Sequence, residues 1–288
     1  MSSIRLLVRQ EPFVFPPEIE RDPRLDRWVD PVGRECGFSL ERDGQHWICI
    51  YQLGAFIVQP GYSEVLGFPD AGVETERFQD VFFRLVAPWL INRKVWDCLH
   101  ASAVLSGSGV VIFCGPSGRG KSTLARACAE RGAAPYADDA VPFLIRDGVP
   151  LAAHIPHRLR LRDPAASWFN DAPRPSWNGN RNGEILYDLE GSLRPISAIY
   201  WLERRSDAGE HPVPLVERIS TSESFRLLLA EAYCLTLTDG ACNRKMVDNY
   251  LALARLASVF QLSFASGREQ IPAVLDCLEQ NQKQLMNA

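Results

Sequence analysis

Nine residues, "GPSGRGKST" at 115–123, carry the most specific chemistry in the chain. Gly115, Gly120, Lys121 and Ser122 meet the phosphate-binding (P-loop) pattern G-x-x-x-x-G-K-[ST]. By composition alone the pattern arises in on the order of one chain in a hundred of this length. Here an apolar run, "GVVIFC", leads into it and a helical run, "KSTLARACAERG", leads out. Glycines let successive backbone N–H groups turn toward phosphate oxygens, and the start of the helix adds partial positive charge. Lys121 would reach the β- and γ-phosphates, and the Ser122 hydroxyl would serve Mg2+. The nucleotide-binding set is therefore Gly115, Pro116, Ser117, Gly118, Arg119, Gly120, Lys121, Ser122 and Thr123. The guanine-reading Asn-Lys-x-Asp is absent, which favours ATP. The loop alone does not choose among ATPases, small-molecule kinases and protein kinases.

Three further groups could act beside it. Asp138 and Asp139, in "YADDAVPF", follow the loop by one helix. On extended backbone they would point to opposite sides, one toward a metal and the other toward an acceptor hydroxyl. His100 stands between apolar residues in "CLHASAVL", where a lone histidine is by default a buried structural one. Arg158 and Arg160 alternate in "HRLRLR", either as a clamp for a phosphate or carboxylate or as a solvated strand face.

The elements that must hold these residues are legible from periodicity. "LHASAVLS" and "GVVIFCG" predict a hairpin about "GSG", a helix over about 121–131 is closed by Gly132, and "VPFLIRDGVPLAA" predicts a hairpin turning at Asp147-Gly148. "SAIYWLER" predicts a strand, and the end of the chain predicts helices near 221–234, 241–258 and 269–285, with "FQLSFA" a strand between the last two. Residues 1–95 predict a separate strand-rich part, with strands on either side of Gly54. It closes on a helix whose core face holds Phe78, Val81, Phe82, Leu85, Val86, Trp89 and Leu90, with Pro88 as a kink. "RPSWNGNRNGEILYDLEG" (174–191) reads as a loop, either over the site or merely on the surface.

Composition narrows the partners. The 288 residues carry 31 basic and 35 acidic side chains, a net charge of −4, which gives no electrostatic case for nucleic acid or an anionic membrane. No apolar run has the length of a membrane span, and "MSSIRLLVRQEPF" lacks the apolar stretch of a secretory signal. The eight cysteines show neither CxxC nor zinc spacing. A reducing, cytoplasmic setting without structural metal is expected.

Taken together, "LHASAVLSGSGVVIFCGPSGRGKSTLARACAERGAAPYADDAVPF" resembles the catalytic domain of the HPr kinase/phosphorylase family. There too a histidine opens a hairpin, the hairpin ends in the phosphate loop, and an Asp-Asp pair follows one helix later. The resemblance implies an α/β fold: a P-loop, HPr-kinase/PEP-carboxykinase-like catalytic domain over 96–288 and a smaller strand-rich N-terminal domain over 1–95. It implies ATP and Mg2+ as cofactors and a peptide or protein bearing a serine as partner. Homo-oligomers are common in the family. Lys121 and the loop amides would grip the phosphates, and Ser122 and Asp139 would serve the metal. Asp138 would be the base with His100 beside it, the exchange of the two aspartate roles staying open. The Glu-Ile-Arg-Gly signature of bacterial HPr kinases is missing, because no glutamate lies between Asp139 and Glu184. That departure points away from phosphorolysis and from HPr, and toward the divergent group associated with lasso-peptide biosynthesis, which phosphorylates the C-terminal serine of a precursor peptide. An HPr-type kinase, a free-serine kinase and a non-catalytic nucleotide switch are the alternatives.

Overall fold

The computed structural model describes residues 3–11, 13–30, 32–94, 96–107, 109–156, 161, 165–169, 184–205, 213–233 and 240–287. In chain order the strands and helices begin with β1 (Ser3–Val8), β2 (Asp26–Val29), β3 (Glu35–Arg42), β4 (Gln45–Ile50), β5 (Gly54–Val58), β6 (Glu64–Pro69), α1 (Thr75–Val81) and α2 (Ala87–Asn92). There follow β7 (Asp97–Leu99), β8 (Ser102–Ser106), β9 (Gly109–Cys114), α3 (Lys121–Glu130), β10 (Ala134–Ala137), β11 (Val141–Arg146), β12 (Val149–Ala152) and β13 (Glu184–Asp188). The rest are β14 (Arg194–Arg205), β15 (Leu215–Arg218), α4 (Thr221–Ala230), α5 (Gly240–Leu256), β16 (Val259–Ala265) and α6 (Ile271–Met286). The chain divides into two compact units, one of Met1–Leu90 with Ser176–Gly191, the other of Ile91–Pro175 with Ser192–Ala288.

The first unit is built on a seven-stranded sheet in the order β13-β1-β6-β5-β4-β3-β2. Every residue of β5, "GAFIV", is buried, so both faces of the sheet are covered. Phe56 stacks on Phe78 at 4.4 Å between ring centroids on one face, while Phe13, Phe15 and Phe38 gather around Trp47 on the other. The single helix expected over the end of the N-terminal part is three pieces. Between α1 and α2, Phe82–Val86 forms a π-helical turn in which the N–H of Ala87 donates to the carbonyl of Phe82. Pro88, just beyond, has no N–H to give a regular helix. The wider turn rotates the following face by about one residue, so Phe83 is buried and Leu85 is exposed, the reverse of the regular spacing. Of the 174–191 segment, Glu184–Asp188 is a strand: β13 pairs antiparallel with β1, from Ser3 opposite Asp188 to Leu7 opposite Glu184. The rest of that segment up to residue 183 lies outside the described residues.

The second unit is mixed α/β, with a sheet running β10-β8-β9-β14-β12-β11-β7 and with β16 and β15 attached through β14. All six residues of β9 are buried. Val110, Ile112 and Cys114 pack with Tyr250 and Leu253 of α5, and Val111 and Phe113 pack with Leu124 of α3 and Leu275 of α6. A strand parallel to its neighbour and covered by helices on both sides needs apolar residues at every position, and "GVVIFC" supplies them. The hairpin of β11 and β12 turns at Asp147 and Gly148 with φ of 51° and 76°, the positive pair that a two-residue turn requires.

One topological detail positions the site. β7 pairs with β11, Leu99 opposite Val141, and β8 pairs with β10, Ala103 opposite Ala137. The register is the same on both sides of a short break. Residues 100–101 and 138–140 are the ones left out of both ladders, between these two matched registers.

Candidate active site

The site is assembled at the C-terminal end of β9, where the chain turns into α3. Gly115 and Gly120 have φ of 134° and 101°, conformations a side chain would strain. Both are also closely approached: a Cβ on Gly115 would stand 3.1 Å from the Leu202 carbonyl oxygen, and one on Gly120 would stand 2.6 Å from Arg204 Nη2. Pro116, Ser117 and Gly118 are exposed to solvent, and no side chain caps the start of α3. The first-turn N–H groups of this ten-residue helix are thus left without a side-chain cap, where a phosphate could accept from them. Lys121, its first residue, is buried and donates from Nζ to the Gly115 carbonyl at 2.6 Å. This keeps the ammonium folded over the loop, where an arriving phosphate would compete for it.

Behind the loop, Asp138 is 3% exposed and its Oδ1 accepts two hydrogen bonds, from Ser122 Oγ at 2.8 Å and from Ser102 Oγ at 2.6 Å. The two hydroxyl oxygens lie 3.4 Å apart. A buried carboxylate between two hydroxyls is a compact set of hard oxygen donors, the kind Mg2+ prefers in company with phosphate and water. Among the described residues no group of three His, Cys, Asp or Glu is placed to hold a metal unaided, so a cation here would depend on a phosphate ligand. Asp139 is only partly buried and sits at φ 64°, in the left-handed region. The pair is therefore not on extended backbone, as its spacing suggested. The positive φ of Asp139 turns the chain out of the ladder between β10 and β11 and separates the two carboxylates by a bend instead of by strand alternation.

His100 lies in the facing break, between β7 and β8, its side chain 40% exposed. Its Nδ1 is 3.0 Å from Oε2 of Glu231, so its partner is that glutamate and not either aspartate. Arg158 and Arg160 lie outside the described residues. Lys121 is thus bonded to the loop and its neighbour Ser122 to Asp138, while His100 and Asp139 lie in the breaks that interrupt the pairing of β7 with β11 and of β8 with β10.

Three residues of this neighbourhood were not singled out from the sequence. Ser102 lies two positions after His100 and supports Asp138. Glu231 is the one acid in "LLLAEAYC". Arg204 stands at the end of β14, which runs parallel to β9 with Trp201 opposite Cys114, so it is carried alongside the loop. Its Nε donates to the Arg119 carbonyl and its Nη1 to the Ala265 carbonyl, each at 3.1 Å, and its guanidinium lies 4.3 Å from the Phe264 ring centre. Burial, with Arg119 nearby, lowers its pKa from the usual arginine value. The signal was present: the carboxyl ends of parallel strands are where such sheets bind ligands, and "WLERR" puts a cation at one of them.

No family model matches the sequence, and no curated protein is similar to it. Among solved structures, one described as the Hpr(Ser) kinase/phosphatase from Coxiella burnetii is similar over 66% of this chain and 99% of its own, at 12% sequence identity and a TM-score of 0.35.

Proposed function

We propose that the chain is an ATP- and Mg2+-dependent kinase that transfers the γ-phosphoryl group to a serine hydroxyl of a peptide or protein. The observation that carries this reading is the Asp138 carboxylate, buried against the Ser102 hydroxyl and that of Ser122, the residue after Lys121 in the loop. The amides of the loop and of the first turn of α3 hold the phosphate oxygens, and Lys121 exchanges the Gly115 carbonyl for them. Ser122 and Asp138 would hold Mg2+, which when bound spreads the charge of the phosphates. Because Asp138 already accepts from Ser122, we assign it the metal side and give Asp139, more open to solvent, the role of base, the opposite of the order first expected. The acceptor oxygen bonds to the γ-phosphorus as the bond to the bridging oxygen breaks. The hydroxyl proton passes to the Asp139 carboxylate, and ADP leaves with the bridging oxygen and its electron pair. Positioning and fixed charge do most of the work in such a transfer.

The acceptor we propose is the C-terminal serine of a peptide, a lasso-peptide precursor being the case implied by the sequence resemblance. The test is transfer of labelled phosphate from ATP to peptides ending in serine, to the same peptides amidated at the C-terminus, to internal serines and to free serine. The Asp139→Asn protein should bind ATP normally and transfer at least 100-fold more slowly. Labelling of free serine alone would replace the peptide acceptor by a small molecule. Nucleotide binding with no labelled acceptor, or undiminished transfer by the Asp139→Asn protein, would overturn the kinase reading or the base assignment respectively.

A further inference from the structure

We propose that Glu231 is the positioning residue of His100: it holds the imidazole with Nδ1–H turned toward the carboxylate, so that Nε2 is left as a hydrogen-bond acceptor for the bound acceptor substrate, beside the Asp139 base. The last clause rests on the kinase reading. The placement of the ring does not.

Glu231 is a costly residue where it stands. It is 6% exposed, and it occupies the C-cap of α4, where the helix dipole disfavours negative charge. A buried carboxylate must be compensated by hydrogen bonds, and among the described residues its side chain pairs with His100 Nδ1, at 3.0 Å. An ionised carboxylate can only accept there, which in the proposed arrangement puts the ring's proton on Nδ1. In the neutral ring Nε2 then carries the lone pair, the reverse of the tautomer that free histidine favours in water.

The backbone fixes the pair as firmly as the side chains do. The His100 N–H donates to the Glu231 carbonyl at 2.7 Å, the Tyr233 N–H donates to the Cys98 carbonyl at 2.9 Å, and Leu99 and Ala232 form an antiparallel bridge. The turn after α4 is thereby sewn to the end of β7, which keeps the two residues' main chains adjacent. The dyad also reaches the base of the phosphate loop. Burial first, and then the Glu231 carboxylate, push the Cys114 thiol well above its usual range while Lys121 opposes them. Across the break stand Asp138 and Asp139, on the connection from β10 to β11. His100 thus has a buried carboxylate against one side of its ring and lies in the break opposite the connection that carries the aspartate pair. A carboxylate that orients a histidine from behind is a recurrent way to fix tautomer and ring angle before a proton-transfer step.

The experiment is nitrogen NMR of the full chain labelled at histidine, with steady-state kinetics of the same samples. The wild-type His100 ring, when neutral, should carry its proton on Nδ1. Glu231→Met, which removes the acceptor but keeps the bulk, should shift the proton to Nε2 and lower kcat by about 10- to 100-fold while KM for ATP changes less than twofold. Glu231→Gln keeps an acceptor oxygen and should retain the Nδ1–H form and most of kcat. A neutral wild-type ring protonated on Nε2 overturns the proposal without any variant. So does a Glu231→Met protein whose tautomer is unchanged, or whose kcat falls only in step with ATP affinity and melting temperature. If the wild type phosphorylates no acceptor but shows the Nδ1–H ring, the kinase reading fails and the placement of His100 by Glu231 stands.

Discussion

Ser102 shows how much of the site depends on a residue without any chemistry of its own. Its hydroxyl is 1% exposed and makes one of the two hydrogen bonds on Asp138 Oδ1, the other coming from the loop residue Ser122. Hydrogen bonds to charged acceptors are worth about 1.5–3 kcal/mol each. Ser102→Ala would remove one of the hydrogen bonds that hold the Asp138 carboxylate against Ser122. The Mg2+ concentration giving half-maximal transfer should then rise by about 10-fold or more, with the fold intact. A magnesium titration of kcat, beside a thermal melt, checks this, and an unchanged magnesium requirement would remove Ser102 from the support of the site. At this scale the loop was legible because G-x-x-x-x-G-K-S is a contiguous pattern whose backbone does the binding. Ser102 and Glu231 were not, since each acts through a contact made by a distant segment, Asp138 for Ser102 and His100 for Glu231, whereas Arg204 had a signal in its place at the end of a parallel strand.

Elements were read well where one force decided them. The β9–α3 unit, the Asp147-Gly148 hairpin and the long β14 follow from apolar runs and turn chemistry. The helical segment after β6 was misread in its phase, because Phe82–Val86 widens into a π turn and moves Phe83 into the place periodicity gave to Leu85. Its packing partner is β6, and here a substitution tests the account. A Cβ on Gly67 would lie 2.6 Å from Phe78 Cε1 and 3.1 Å from Leu6 Cδ1. Phe78 is fully buried and stacked on Phe56, so it has nowhere to move. Gly67→Ala should destabilise the protein by about 1–3 kcal/mol, read from the shift in denaturant midpoint. Adding Phe78→Leu to it should recover part of the loss, and a strictly additive double variant would mean that the two sites do not meet.

At the scale of the molecule, the first unit is discontinuous in sequence: β13, from the far side of β12, completes the sheet beside β1. The alternating polarity of "EILYD" was visible, but pairing between strands so far apart cannot be read from either one alone. A fragment beginning at residue 91 therefore keeps β13 and loses its partner, uncovering Ile185 and Tyr187, which are 4% and 5% exposed in the whole chain. Such a fragment should aggregate or be clipped within 184–191. One that also has 176–191 replaced by a short linker should stay soluble, and limited proteolysis with size-exclusion chromatography would tell them apart. Equal behaviour of the two would refute the pairing. The same discontinuity bears on how the protein is born. While the ribosome adds the roughly one hundred residues between the end of α2 and β13, on the order of ten seconds of translation, the nascent chain carries β1 with one edge bare. A chaperone that shields strand edges would be needed in that interval and not afterwards.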